Sequence, residues 1–352
     1  MPQSFGLITL SRVLVFSIAT LMLLSIVILN SIGSTLFPAY FVYIISAILI
    51  FILFTRIDFD IFLAFAPYLY LLSIFALCLP LAIGEITRGA IRWIQIGPVT
   101  IQPSELVRPF ILLFFAKYVS ESAITLKNIA IGLVILGLPV FLILIQPSFG
   151  VALLTTIGFA GILLTSRVPK KVFLYGIGVA LLSIPFVWFL LAPYQKERIS
   201  SFLHPSNDPL GAGYNSLQSM ISIGSGSIFG RGLGEGIQTQ LAFLPEKHSD
   251  FVFAGIAEEM GLVGTLLLLS GIFSLFWCLI TIAESDKSEI ARSFTIGICL
   301  SLFIQTMIHI GMNMGMLPIT GVPFPLVSAG GSALLGTMMS LGIIVSGWKY
   351  RS

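Results

Sequence analysis

Charge is scarce in this chain: only 9% of its 352 residues are Asp, Glu, Lys or Arg, where a soluble domain carries about 25%. So few ionised groups cannot cover a surface in water. With 57% hydrophobic residues and a mean hydropathy of +1.05, that surface must be solvated by lipid. Cysteine is nearly absent. Cys78, Cys278 and Cys299 all lie in apolar runs and read as small hydrophobes, which argues against a disulfide framework. No His, Cys or acid spacing defines a closed protein metal site. The formal net charge of +3 is too small to point to nucleic acid. No segment between the apolar runs is long enough for its own core, so residues 1–352 read as one membrane domain. No cleavable leader stands out, because the first apolar run is long enough to be a retained span.

What the chain does have is long apolar runs. A bilayer core needs about 20 apolar residues per helix. Ten candidates fit: Val13–Ile32, Pro38–Phe54, Ile61–Ile83, Ser104–Val119, Asn128–Ile145, Ser148–Thr165, Lys171–Leu191, Asp250–Ile282, Ser293–Met316 and Leu326–Trp348. The expected fold class is therefore all-α, a polytopic membrane protein of about ten transmembrane helices. A large extracytoplasmic loop, residues 193–249, separates spans seven and eight. Arg56, Lys127, Arg167, Lys170 and Lys287 fall in loops on one side, with Lys349 and Arg351 after the last span. The short loops opposite hold only Arg88 and Arg92. Basic residues mark the cytoplasmic side, so both termini should be cytoplasmic.

The polar residues that remain are therefore informative. Arg88, Arg92 and Trp93 in the first outer loop suit a lipid phosphate, which guanidinium binds bidentately; an interfacial anchor explains them equally well. Gln102-Pro103-Ser104-Glu105 reads as a helix start capped by Ser104, and Arg108 is placed to pair with Glu105. Lys196, Arg198, Arg231 and Lys247 make the long loop locally basic. Its stretch Gly224–Gly236 could offer backbone N–H groups to an anion, but no Gly-Lys-Ser/Thr follows, and by itself it reads as a flexible loop. Asp250 stands where this loop enters the eighth apolar run. A carboxylate at a membrane edge is costly and demands a reason. On a continuous helix Asp250, Ala254, Glu258 and Gly261 would share one stripe, with Glu258 about 12 Å deeper at ~1.5 Å per residue. Gln305, His309 and Asn313 lie near one face of span nine, where hydrogen bonding between helices is the default explanation. The Pro- and Gly-rich break that follows must be buried in protein or line a cavity.

Taken together these segments carry a resemblance. Arg88–Trp93, Gln102–Glu105, Asp208–Asn215, Gln218–Gly226, Leu244–Ala254 with Glu258-Glu259, and Gly311–Pro325 with Gly330-Gly331-Ser332 run in the order found in SEDS proteins, the glycosyltransferases of shape, elongation, division and sporulation. Asp208–Tyr214 and Pro318–Pro323 resemble the elongation branch more than the division branch. The resemblance implies polymerisation of lipid II, a polyprenyl-pyrophosphate-linked disaccharide, on the outer face of the bacterial cytoplasmic membrane. It implies an essential acid at Asp250, acting as general base on the attacking sugar hydroxyl. Arg88, Arg92, Trp93, Lys196, Arg198 and Lys247 are then the substrate-binding candidates, and Glu105, Arg108, Glu258 and Ser332 the groups that support the cavity. A divalent cation, Mg²⁺ or Mn²⁺, is the one candidate cofactor. The implied partners are a class B penicillin-binding protein, as transpeptidase, and other elongation-complex membrane proteins, with no nucleic acid. The chain departs from the family pattern at Ser148 (usually aspartate), Arg108 (lysine), Ala329 (tyrosine), Ser249 (threonine) and Ser227 (glycine). The changes at Ser148 and Arg108 point to a rearranged buried charge pair. A lipid II flippase is the alternative function, and a scaffold for a partner enzyme the third.

Overall fold

The computed structural model describes residues 2–33, 37–87, 90–97, 99–123, 125–166, 178, 182, 188–189, 196–197, 200–202, 212–241 and 243–351. Its helices are α1 (Pro2–Ile32), α2 (Phe37–Phe54), α3 (Phe59–Ile83), α4 (Pro103–Glu121), α5 (Leu126–Ile145), α6 (Phe149–Thr165), α7 (Ala212–Ser225), α8 (Ile237–Gln240), α9 (Val252–Ser285), α10 (Glu289–Asn313) and α11 (Gly331–Arg351). Six described segments are long and apolar enough to cross a membrane: Leu10–Ile32, Phe59–Ile83, Leu126–Ile145, Val252–Ser285, Glu289–Asn313 and Gly331–Lys349. The protein is thus a polytopic, predominantly α-helical membrane protein. The expected seventh span, Lys171–Leu191, falls largely outside the described residues.

Short polar side chains cap the start of α3, α5 and α10. Asp58 Oδ1 accepts from Asp60 N (3.0 Å) ahead of α3, Thr125 Oγ1 from Asn128 N (3.2 Å) ahead of α5, and Ser288 Oγ from Ala291 N (3.3 Å) ahead of α10. Gln146-Pro147 does divide two helices, α5 and α6. One expectation changes. α4 begins at Pro103 with Gln102 at the N-cap, because proline suits the first helical position, where no N–H is needed; Ser104 is therefore inside the first turn. The loop after α3 has structure of its own. It folds into a small antiparallel sheet of β1 (Glu85–Thr87), β2 (Ala90–Ile96) and β3 (Val99–Ile101), in that order, around a turn in which Gly97 takes a φ of 61°.

α11 forms the centre of the bundle, packed on α2 and α4, while α10 lies on α6 and α4, and α9 on α1, α7 and α10. Some 89% of the α11 span is buried but only 22% of the α5 span, so α11 is enclosed by other helices whereas α5 lies at the periphery. Two of the α11 hydroxyls bond back to their own helix, Thr337 Oγ1 donating to Ala333 O (2.7 Å) and Ser340 Oγ to Gly336 O (2.8 Å), while Ser346 Oγ donates to Ile57 O (2.6 Å) in the α2–α3 connection. α6 and α10 cross on glycine. A Cβ on Gly297 would lie 2.8 Å from the Gly158 carbonyl oxygen, so the absence of side chains there permits the close backbone contact typical of membrane helices.

Candidate active site

Asp250 is half-buried and lies on a tight turn just before α9. The expectation that it opens the helix is corrected: α9 starts at Val252 with Phe251 at the N-cap. The turn is closed by the Glu246 carbonyl, which accepts from Ser249 N (3.1 Å), Asp250 N (3.0 Å) and Phe251 N (3.3 Å). Glu246 itself takes a φ of 53°. Left-handed backbone in a non-glycine residue costs about 1–3 kcal/mol and persists only where its surroundings hold it.

Two elements hold this turn. On one side is α10. Asn313 Nδ2 donates to the Asp250 carbonyl (2.9 Å) and the His309 carbonyl (2.8 Å), and Asn313 Oδ1 accepts from Ala254 N (3.1 Å). On the other side is the irregular segment 314–330. Ser328 Oγ donates to Ser249 O (2.7 Å), and Ala329 N donates to His248 O (2.9 Å). The segment is itself pinned by the polar face of α10. Gln305 Nε2 donates to Pro323 O (2.9 Å), and His309 Nδ1 meets Val322 O at 2.8 Å, which requires the proton on Nδ1. Ser25 Oγ on α1 donates to Val327 O (2.6 Å). The face expected to join helices therefore supplies the partners that irregular backbone needs in an apolar surround.

α9 is not one continuous rod. Gly261 sits at φ 65°, ψ −157°, a conformation essentially restricted to glycine. The main-chain groups freed by this break are taken up by the glycine-rich segment of the long loop. Arg231 N donates to Glu258 O (2.9 Å) and Gly232 N to Glu259 O (3.0 Å), while Leu262 N donates to Ser227 O (3.0 Å) and Val263 N to Ile228 O (3.1 Å). A Cβ on Gly230 would overlap the Glu259 carbonyl oxygen. The stretch read as a flexible loop is thus seated in the helix break, and its N–H groups at 231 and 232 serve carbonyls rather than an anion. The break also moves the acids. Leu262–Ser285 spans about 36 Å at ~1.5 Å per residue, enough for a core of about 30 Å. Glu258 and Glu259 therefore belong at the boundary of the span, not deep within it as the unbroken stripe suggested.

Both acids are buried and bonded. Glu258 accepts from Gln238 N (2.8 Å) and Thr239 N (3.0 Å), satisfying the first N–H groups of α8. Glu259 accepts from Ser31 Oγ (2.5 Å), Gln240 Nε2 (2.8 Å) and Thr239 Oγ1 (3.3 Å). Lys247 Nζ donates to Thr239 O at the other end of α8. Burial pushes the Lys247 ammonium below its usual range, opposed by the nearby charges of Glu259 and Glu258. So Lys247, expected to bind substrate, is directed inward onto α8, and Glu258, expected to support a cavity, braces the same helix.

The segment that follows the small sheet joins this region through α11. Gln102 N donates to Ser332 Oγ (2.8 Å), four residues past Ser328. Segment 328–332 thereby links the start of α4 to the Asp250 turn. Tyr43 of α2 secures β3 by donating to Thr100 O and accepting from Thr100 N, both at 2.7 Å. Arg92 lies 5.9 Å from the centroid of the Trp93 ring, a cation–π contact. Glu105 and Arg108 form a buried ion pair at 3.3 Å, and Arg108 Nη2 donates to Gln305 Oε1 (3.4 Å). Ser148 Oγ accepts from Gln102 Nε2 (3.1 Å). At the two departures from the family pattern, the arginine is thus paired within α4, and the serine is held by an amide.

The structure gathers Asp250, Ser332, Glu105 and Arg108 into one linked assembly at one end of the bundle, with Glu258 on α9 and Lys247 on the preceding segment both engaged with α8. Lys196 has no hydrogen-bond or ion-pair partner among the described residues. Arg88 and Arg198 lie outside them. Among the described residues no three His, Cys, Asp or Glu side chains converge as metal ligands, so the side chains present form no closed site for the divalent cation. Sequence reasoning did not single out Asn313 or Ser328 as holding Asp250; the only signal was Asn313 four residues beyond His309, one helical turn along the same face.

A helical membrane bundle with an acid clamped at the mouth of a broken helix belongs to a defined class. The chain is a member of the FtsW/RodA/SpoVE family of cell cycle proteins, whose profile matches residues 3–351, and the SEDS resemblance carried by its motifs is confirmed. It is similar to MrdB of Escherichia coli K12, named a peptidoglycan glycosyltransferase, with 41% identity over 291 residues, 81% of this chain and 78% of that one. A probable peptidoglycan glycosyltransferase FtsW of Allochromatium vinosum is 37% identical over 290 residues, 79% of this chain and 71% of that one. The fold matches a chain in a structure described as "Structural coordination of polymerization and crosslinking by a peptidoglycan synthase complex". The TM-score is 0.84 at 31% identity, covering 96% of this chain and 97% of that one.

Proposed function

We propose that this protein is a peptidoglycan glycosyltransferase that polymerises lipid II into glycan strands during cell-wall elongation. The observation that carries the reading is the clamped turn of Asp250, held by Asn313 on one side and by Ser328 and Ala329 on the other, in a chain related to named glycosyltransferases. In this reading the bundle has ten spans and lies in the bacterial cytoplasmic membrane with both termini cytoplasmic. The large loop between spans seven and eight faces outward.

The 4-hydroxyl of one lipid-linked sugar attacks the anomeric carbon of the other. The new C–O bond forms as the bond to pyrophosphate breaks, with inversion from α to β, and polyprenyl pyrophosphate leaves. Asp250 accepts the hydroxyl proton, since a hydroxyl near its resting pKa is a poor nucleophile. Arg88, Arg92, Lys196 and Arg198 are assigned to the pyrophosphate, whose charge grows in the transition state, and Trp93 to the membrane interface. Glu105, Arg108 and Ser332 hold the cavity wall. A divalent cation, Mg²⁺ or Mn²⁺, would have to arrive with the substrate, and no step is routed through it. A class B penicillin-binding protein is the proposed partner, in keeping with the match to a chain of a peptidoglycan synthase complex that coordinates polymerization and crosslinking.

The test is polymerisation of labelled lipid II by the purified, reconstituted protein and its Asp250→Asn variant, with thermal unfolding confirming that both are folded. Loss of at least about 100-fold in rate is expected on removing a general base. Wild-type rates in a folded variant would remove the base assignment. Transbilayer movement of lipid II with no polymer would favour the flippase instead.

A further inference from the structure

We infer that Asn313 is a positioning residue for Asp250, setting where its carboxylate meets the sugar hydroxyl; this rests on the reading of Asp250 as the base. Asn313 is fully buried and its carboxamide is saturated. Its two N–H donors go to the carbonyls of Asp250 (2.9 Å) and His309 (2.8 Å), and its oxygen takes Ala254 N (3.1 Å). The first N–H groups of a helix have no partner within it, and the N-cap side chain normally serves one of them. α9 has Phe251 at that position, which cannot. The cap therefore comes from another helix, and the amide that supplies it also grips the main chain of Asp250, four residues before Ala254.

That combination selects for asparagine. Aspartate has the acceptor but, when ionised, no donor for the Asp250 carbonyl; serine is too short to span both; leucine offers neither. The Asn313 main chain is engaged as well, its carbonyl accepting from Ser219 Oγ of α7 (2.8 Å). One residue thus fixes the start of α9 and the turn of Asp250 to α10, and the helix entering from the long loop to the same point. His309, one turn earlier, is already committed to Val322 O, and Gln305 to Pro323 O and Arg108, so neither is placed to replace it.

The experiment uses the full-length protein in proteoliposomes with lipid II as substrate. Initial rates are measured against lipid II concentration for the wild type, Asn313→Ala, Asn313→Asp and Asp250→Asn, with unfolding midpoints recorded for each. In Asn313→Ala, kcat should fall about 10- to 100-fold while KM stays within about threefold, the pattern of a displaced reacting group. Asn313→Asp keeps the acceptor for Ala254 N and should fall between the two. Wild-type kcat in Asn313→Ala beside an inactive Asp250→Asn overturns the positioning role and leaves the base in place. A raised KM with unchanged kcat overturns it too, since that marks a binding role. Full activity in Asp250→Asn removes the base assignment and the positioning role with it. If Asn313→Ala does not fold, Asn313→Asp, of the same size, decides by the same criteria.

Discussion

Two stretches of irregular backbone brace the first part of α9, one at its start and one at its break, and they are held in opposite ways. Segment 314–330 is held by side chains: Gln305, His309 and Asn313 from α10 and Ser25 from α1 each reach a group on it or on the turn it supports. The glycine-rich loop is held by main chain alone, through four hydrogen bonds between residues 227–232 and the break at Gly261. The first arrangement fails when one polar side chain is lost. The second is indifferent to side chains except where one would intrude.

The sharpest way to break this contrast is Gly230→Ala. The added methyl overlaps the Glu259 carbonyl at a residue whose φ is 81°, so about 3 kcal/mol or more should be lost; the unfolding midpoint in detergent measures it. A variant as stable as wild type would show that the loop does not stay seated in the break. Next comes Gln305→Leu, which strips the Pro323 carbonyl and the Arg108 guanidinium of a shared partner. An orphaned buried group costs about 1–3 kcal/mol, and the same unfolding assay reads it. The smallest effect lies at the far end of the molecule. Asp286, after α9, is pushed above the usual carboxylate range by burial, opposed by its bond to Ser288 N and by the Arg292 charge. A raised carboxylate pKa means that the folded state disfavours the ionised form, so stability is lost as pH rises through that value and regained as it falls. Asp286→Asn should therefore raise the unfolding midpoint slightly at neutral pH, and the gain should vanish in acid. A gain that persists at low pH would contradict the assignment.

The same contrast explains what could be read in advance. Side-chain-held features leave a mark: Glu105 and Arg108 were expected to pair from their spacing, and the polar face of α10 from its helical periodicity. Asp250 was conspicuous because ionised groups are costly at a membrane edge. The loop in the helix break left almost nothing, because hydrogen bonds between main chains some thirty residues apart depend on no particular side chain. Gly261 was visible but was placed on a smooth helical stripe, since a glycine in an apolar run does not reveal its φ. The sheet at 85–101 was hidden for a different reason. β1 and β3 have three residues each, too few for an alternating pattern to register, and Tyr43, which holds Thr100 of β3, lies far off in the chain on α2.

The break at Gly261 turns α9 into two mechanical parts. Residues 227–232 bind on both sides of it, to the Glu258 and Glu259 carbonyls before the break and to the Leu262 and Val263 N–H groups after it. The short rod Val252–Met260 is thus moored at both ends, to Asn313 beside Asp250 and to the glycine-rich segment at the break, so the acid's turn and the loop share one rigid strut.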